Sequence, residues 1–360
     1  MRPRDDPTAA AARRPAHPAA PGELRRDPLT GRWVVLASGR AARPAAFHAP
    51  ADPPETRDPC PLCPGNERLT PPEVWAVRDG PGGAGKANGP GWRVRVVPNK
   101  YPAFAGPVEQ PSGELDRAAA AGGGQEVIAH GPDHAATLAD QDEAQVALVL
   151  AAWRRRLAAW RRQPLGAVMV LVNQGRAAGA SLEHPHSQLF ATGLRPDLVQ
   201  AEVERLTSDD CAACATLDKE RGGERIVTDA GADADAGADA DALVTLCPWA
   251  SALPYEALLL PARHLPRFED ADGRADLALA RELGGLLRRL EAATGPRTPY
   301  NLVLHTAPPG LDDFHWHLHL LPRLTVLGGF ELGGGMIINV VDPDAAARSL
   351  RAAPADLSGA

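Results

Sequence analysis

The sequence predicts an α+β fold in which an antiparallel sheet, with a helix laid against it, is built twice over. Two observations carry the prediction. The order strand, helix, strand, loop, His-rich strand runs through the chain once before about residue 195 and once after it. Side chains of metal-ligating type recur at matching places: Cys60, Cys63, His134 and His184 in the first run, Cys211, Cys214, His264 and His315 in the second. Fifty positions separate His134 from His184 and fifty-one separate His264 from His315. An apolar residue, Leu138 or Phe268, stands four places after the first histidine of each pair. The chain is therefore read as an internal duplication, with halves at 22–195 and 196–352 behind a tail at 1–21 expected to be disordered. Joined side by side, the halves would form one extended sheet.

Each element has a local reason. Apolar and β-branched runs predict strands at "RWVVLAS" (32–38), "WRVRVVPN" (92–99), "EVIAHG" (126–131), "AVMVLVNQ" (167–174) and "HSQLFAT" (186–192). Helical periodicity runs from about 140 to 162 and is stopped by Pro164. In the second half strands are expected at 256–264, 300–306 and 314–323. A helix over about 275–293 is closed by Gly295-Pro296. "DGPGGAGKANGPG" (79–91) reads as a hairpin loop, and "TDAGADADAGADADA" (228–242) as an acidic low-complexity insert.

Composition narrows the function classes. A chain of 360 residues, 44% hydrophobic and 23% charged, is long enough for two packed units. The net charge of −7 argues against a general nucleic-acid surface, so an anionic ligand must meet a local basic cluster. No apolar run reaches the roughly 18 to 20 residues of a membrane span, and the start lacks the apolar stretch of a signal peptide. Four of the five cysteines fall in two CxxC pairs. That usage suits a cytoplasmic metal protein better than a disulfide framework.

Two cysteines two apart plus two histidines make the tetrahedral N2S2 set that zinc prefers. The first set, in "CPLC", "PDH" and "HPH", is expected to hold a structural zinc. His130 is the rival for His134, but only "PDH" matches the repeat. The second set, begun by "CAAC", is expected to hold another, against the alternative of reduced, buried thiols. Cys247 has no partner in either set and reads as a small core residue.

In "GASLEHPHSQLFAT" (179–192), alternation along a strand puts His184, His186 and Gln188 on one side. The wider stretch resembles the active-site signature of the galactose-1-phosphate uridylyltransferase family, within the histidine-triad superfamily. The elements Asn, Gly, Gly-x-Ser and HPHxQ stand here as Asn173, Gly175, Gly179, Ser181 and 184–188. "DPLTGRWVVLASGRAARP", "CPLCPGNE", "VVPNKYPAF" and "VIAHGPDH" follow in the family's order, so the resemblance covers roughly 22–352. It implies histidine-triad-like halves and a ping-pong nucleotidyl transfer. A histidine attacks the α-phosphate of UDP-glucose, glucose-1-phosphate leaves, and the uridylyl group passes to a second hexose-1-phosphate. The position of that nucleophile is His186, with the His184 carbonyl setting its tautomer and Pro185 stiffening the link.

The same resemblance makes Gln188, Ser181 and Asn173 phosphate donors. Arg40 and Arg43 become clamps for the distal phosphate, against the plainer reading of a solvated basic loop. Asn99 reads either as a nucleoside contact or as a turn residue after a strand. His317 occupies the place of His186 in the second half, but "DDFHWHLHLL" lacks the Gly-x-Ser approach and the Gln, so it is not expected to be a second nucleophile. Phe330 and Glu331 resemble the segment that reaches a neighbouring subunit's sugar in a homodimer. Thr325 stands where enteric-type members carry a lysine. "GGFELGGG" resembles the branch that includes plant ADP-glucose phosphorylase, which prefers adenylyl groups. Galactose-1-phosphate uridylyl transfer is the leading reading and ADP-glucose phosphorolysis the second. A zinc-stapled interaction module without chemistry is a third, and a zinc hydrolase a fourth, which four filled ligand positions disfavour.

Overall fold

The helix expected over about 140 to 162 forms as α1 (Glu143–Trp160). Its cap is Asp142, whose side chain accepts from the Gln145 amide, and its buried stripe includes Val146, Val149, Leu150, Trp153 and Leu157. The fold is a computed structural model that describes residues 22–39, 59–79, 85–108, 118–230 and 242–356. Before α1 lie β1 (Glu23–Arg26), β2 (Trp33–Leu36), β3 (Trp75–Arg78), β4 (Trp92–Pro98) and β5 (Gly123–Ala129). After it come β6 (Ala167–Gln174), β7 (His186–Thr192), α2 (Asp197–Val203), α3 (Ala212–Glu220), β8 (Ile226–Asp229), β9 (Leu243–Leu246) and β10 (Ala257–Pro261). The chain continues through α4 (Gly273–Thr294), β11 (Tyr300–His305), β12 (His317–Pro322), α5 (Gly329–Gly334), β13 (Ile337–Asn339) and α6 (Pro343–Ala352).

Ten strands form one sheet in the order β3-β4-β5-β7-β6-β11-β12-β10-β9-β8. Neighbours are antiparallel, and the seam joins β6 to β11 with Val172 opposite Leu302. The two sides of the seam are thus mirrored in strand order, and the extended sheet expected from the sequence is present. One face carries the main apolar core, where β-strand residues such as Ile128, Val170, Leu189, Leu302 and Leu318 meet Trp153 of α1 and Leu283 and Leu287 of α4. Burial of that many large apolar side chains is the principal driving force for this layer.

The opposite face is covered unequally. Around β5 and β7 the cover is the 60–69 loop, with Leu62 packed on Trp92 and Ala129. Around β10 and β12 it is the α2–α3 segment, where Leu206, Ala213 and Leu217 pack on Leu258 and Leu260. A smaller sheet, β1-β2-β13, stands apart from the large one in pairing.

Several boundaries differ from the sequence reading. Thr228 and Asp229, expected to open the acidic insert, end β8, where they pair with Thr245 and Val244. A ladder with β9 satisfies backbone groups that composition alone assigned to a loop. His315 precedes β12 rather than lying within it, and β1, β3, β8, β9 and β13 were not expected. These short strands carry too few residues for a clear period. The tail at 1–21 and most of the insert lie outside the described residues, as do Arg40 and Arg43.

Candidate active site and metal centres

Strand β7 places its residues on two faces. Ser187 points to the helix layer, where its Oγ accepts from Trp153 Nε1 at 2.7 Å. His186 and Gln188 point the other way and line a cavity of about 270 Å³ together with Asn99, Lys100, Tyr101 and Ser181. His186 is 6% exposed. Its Nδ1 lies 2.8 Å from the His184 carbonyl oxygen, so Nδ1–H donates and Nε2 keeps its lone pair. Burial favours the neutral imidazole and pushes its pKa down, and the hydrogen bond to the His184 carbonyl opposes this only in part. The backbone that carries it is pinned again where His130 N–H donates to the Pro185 carbonyl at 3.0 Å.

His184 faces a different group. The Nδ1 of His134 is 3.2 Å, and that of His184 3.6 Å, from Cys63 Sγ. One donor atom from each of Cys60, Cys63, His134 and His184 lies within 4.8 Å of all the others. His184 Nε2–H donates to the Gly131 carbonyl at 2.8 Å, which aims the Nδ1 lone pair at the thiols. Burial pushes His184 down to about 4, and burial with the neighbouring Cys60 pushes Cys63 up to about 11. Two imidazole nitrogens converging on two thiols are a donor set that a cation would complete, and the residues fit one. His130 is not part of it: it is fully buried and neither ring nitrogen has a partner.

The second group repeats this geometry. Cys214 Sγ is 3.6 Å from His264 Nδ1 and 3.5 Å from His315 Nδ1, with Cys211 Sγ 3.6 Å from His315 Nδ1. Cys211 caps α3 and puts Cys214 in its first turn. His264 Nε2 is held by Asp313 at 2.8 Å and His315 Nε2 by the Pro261 carbonyl at 3.0 Å. Both groups could therefore hold a metal ion, with donor sets compatible with zinc.

The remaining expected residues separate. Ser181 and Leu182 line both the cavity beside His186 and an adjoining one of about 250 Å³ that contains Asn173 and Arg297. Asn173 Oδ1 already accepts from Asn301 Nδ2 at 2.8 Å. Asn99 makes the turn contact, its Oδ1 accepting from the Tyr101 backbone amide at 2.9 Å, and it also lines the cavity beside His186. Phe330 and Glu331 lie on α5, and neither lines the cavity beside His186. Cys247 is buried in the main core as expected.

Sequence reasoning missed one cluster. Glu202 of α2 meets His305 Nδ1 at 2.5 Å and His317 Nε2 at 3.7 Å, all three buried, and these too could hold a metal ion. A lone glutamate in a short helix carries no periodic signal that would have marked it.

The family model described as galactose-1-phosphate uridyl transferase, N-terminal domain, matches residues 93–196. ADP-glucose phosphorylase of Arabidopsis thaliana is 30% identical over 345 residues, covering 91% of this chain and 92% of that protein. Galactose-1-phosphate uridylyltransferase of Streptomyces lividans is 30% identical over 315 residues, covering 82% and 75%. The crystal structure of an Arabidopsis thaliana ADP-glucose phosphorylase with bound ADP-glucose superposes with a TM-score of 0.73 at 27% identity, covering 92% of this chain and 98% of that one. Among the described residues no helix is long and apolar enough to cross a membrane. With a buried, tautomer-fixed histidine beside a cavity and this extent of similarity, the chain belongs to the galactose-1-phosphate uridylyltransferase family, a family of nucleotidyl-transferring enzymes.

Proposed function

We propose that this enzyme moves a nucleotidyl group from a nucleoside-diphosphate glucose to a phosphate acceptor by way of His186. The observation that carries the reading is the 2.8 Å contact from His186 Nδ1 to the His184 carbonyl beside a cavity. It leaves Nε2 as the nucleophile. Nε2 attacks the α-phosphorus, an N–P bond forms, the P–O bond to glucose-1-phosphate breaks, and the leaving phosphate takes the electron pair. Nδ1–H stays on the His184 carbonyl throughout. An acceptor phosphate oxygen then attacks the same phosphorus and breaks the N–P bond, which restores the imidazole. Gln188, Ser181 and Asn173 donate to the phosphate oxygens, and Asn99 contacts the nucleoside.

Zinc is the proposed ion for both Cys2His2 groups. In the first, His184 would tie it to the strand carrying His186, so the metal supplies rigidity to the nucleophile. Arg40 and Arg43 remain proposed clamps for the distal phosphate, and Phe330 and Glu331 are proposed to serve the sugar end across a homodimer.

Two donors compete. UDP-glucose with galactose-1-phosphate as acceptor follows from the family. ADP-glucose with a phosphate acceptor is favoured by Thr325 and by the similarity to the Arabidopsis thaliana enzyme over 92% of its length. Incubation with α-labelled UDP-glucose or ADP-glucose, without acceptor, tests both. Acid-labile label on the protein that disappears in His186→Ala supports the transfer, and the nucleotide that labels identifies the donor. No label from either would sink the reading.

A further inference from the structure

An amide side chain looks alike either way round, so which end faces a ligand is decided by its partners. Gln188 presents its amide to the cavity beside His186, and its polarity there is traceable to a backbone group. The Ala103 N–H donates to Gln125 Oε1 at 2.9 Å. A backbone amide can only donate, so this end of Gln125 must be its oxygen. The other end, Nε2, must then donate, and it does so to Gln188 Oε1 at 2.7 Å. With its oxygen occupied, Gln188 is left with Nε2–H to offer to a ligand.

Sheet register makes this relay possible. On β5 and β7, Val127 is opposite Gln188 and Gln125 opposite Phe190, so the two glutamines are diagonal neighbours on the cavity face. Gln125 is itself buried, and its backbone carbonyl accepts from the Asn99 amide at 2.9 Å. The loop from Asn99 to Ala103, which lines the cavity, is therefore pinned to Gln125 at both ends.

We propose that Gln125 is a positioning residue for nucleotidyl transfer: it turns the Gln188 amide so that an N–H, not an oxygen, meets the phosphoryl oxygens. This rests on the transfer reading given above. A phosphoryl group in transfer concentrates negative charge on its non-bridging oxygens, so a donor there lowers the barrier and an acceptor raises it. Without Gln125, Gln188 can turn either way and wastes part of its donation.

A double-mutant cycle tests the relay, read as the single-turnover rate of adduct formation with α-labelled UDP-glucose or ADP-glucose, whichever labels the wild type. Gln188→Met is expected to slow labelling about 100-fold, in the range for loss of one oxyanion donor. Gln125→Met is expected to slow it about tenfold, and the double variant no further than Gln188→Met alone. Binding of the nucleoside monophosphate should change less than about threefold in Gln125→Met, since the relay acts on the rate. Should Gln125→Met fail to fold, Gln125→Glu replaces it in the cycle. It keeps an acceptor for Ala103 but offers Gln188 an oxygen, and is expected to slow labelling at least as much. A tenfold loss that persists in the Gln188→Met background, a nucleotide-affinity loss as large as the rate loss, or a wild-type rate in Gln125→Glu would overturn the inference and leave the transfer reading standing. Absence of adduct on the wild type would overturn both.

Discussion

His186 and His317 occupy corresponding strands on either side of the β6–β11 seam, and their immediate geometry is nearly the same. Each donates Nδ1–H to the carbonyl two residues earlier, at 2.8 Å for His186 and 2.9 Å for His317. The difference lies beyond the ring. His186 lines an open cavity, whereas His317 is fully buried with its Nε2 3.7 Å from Glu202. Burial would raise the Glu202 carboxyl, but His305 and His317 together bring it well below the usual carboxylate range. Two strands with the same local design thus differ in what covers them: a loop carrying "CPLC" on one side, α2 and α3 on the other. The same local backbone design fixes both imidazoles, and the overlying segment decides whether anything can reach them.

The sharpest way to break this comparison is to remove each histidine in turn. His186→Ala should abolish the nucleotide adduct, a loss of more than about 1,000-fold, while His317→Ala should still label. Equal loss in both, by the same labelling assay, would end the distinction between the two strands.

Metal content is the next lever. Cys60→Ser and Cys211→Ser should each lose one of two zinc ions per chain by elemental analysis, each with several kcal/mol of stability, on the order expected for a structural site. Only the first should also slow labelling of the folded fraction, because only its His184 lies two residues from His186 and gives it the carbonyl that holds Nδ1–H.

Glu202→Ala should destabilise the fold by about 3 to 5 kcal/mol in denaturant unfolding, by stranding buried histidines without their carboxylate. It should not create a second adduct. A second labelled site in Glu202→Ala would mean that the carboxylate alone silences His317.

The smallest effect concerns Glu256, a second carboxylate buried on the His317 side of the sheet. Burial raises it to about 7, although it accepts from the Leu253 and Ala252 amides. A folded-state pKa above the unfolded one means the folded state holds the proton more tightly. Its stabilising contribution is therefore full below about pH 4.5 and is lost as pH rises through about 7, a swing on the order of 3 kcal/mol. Glu256→Gln should flatten the dependence of stability on pH across that window, measured by chemical denaturation at several pH values. An unchanged slope would remove Glu256 from the account.

Much of the site could be read before any coordinates. The strand 186–192 forms with the expected ends because its alternation is local and strict. Both Cys2His2 groups come together because ligand type and duplicated spacing report on a shared supersecondary unit. What escaped was short, or long-range. The edge strands carry three to four residues and no clear period. Glu202 meets His305 across 103 positions, and Gln125 meets Gln188 across 63. Neither pairing leaves a mark in its own neighbourhood, since any polar residue at that place would suit the strand or helix.

By itself, then, the sequence determined the strand of His186, the two Cys2His2 groups and the family, because alternation, side-chain type and motif order are properties of contiguous chain. Only the tertiary structure decided which histidine faces a cavity, which is closed off by a carboxylate, and which way round the Gln188 amide is held. Those depend on which distant segment packs over each strand, and packing is settled by the burial of whole surfaces.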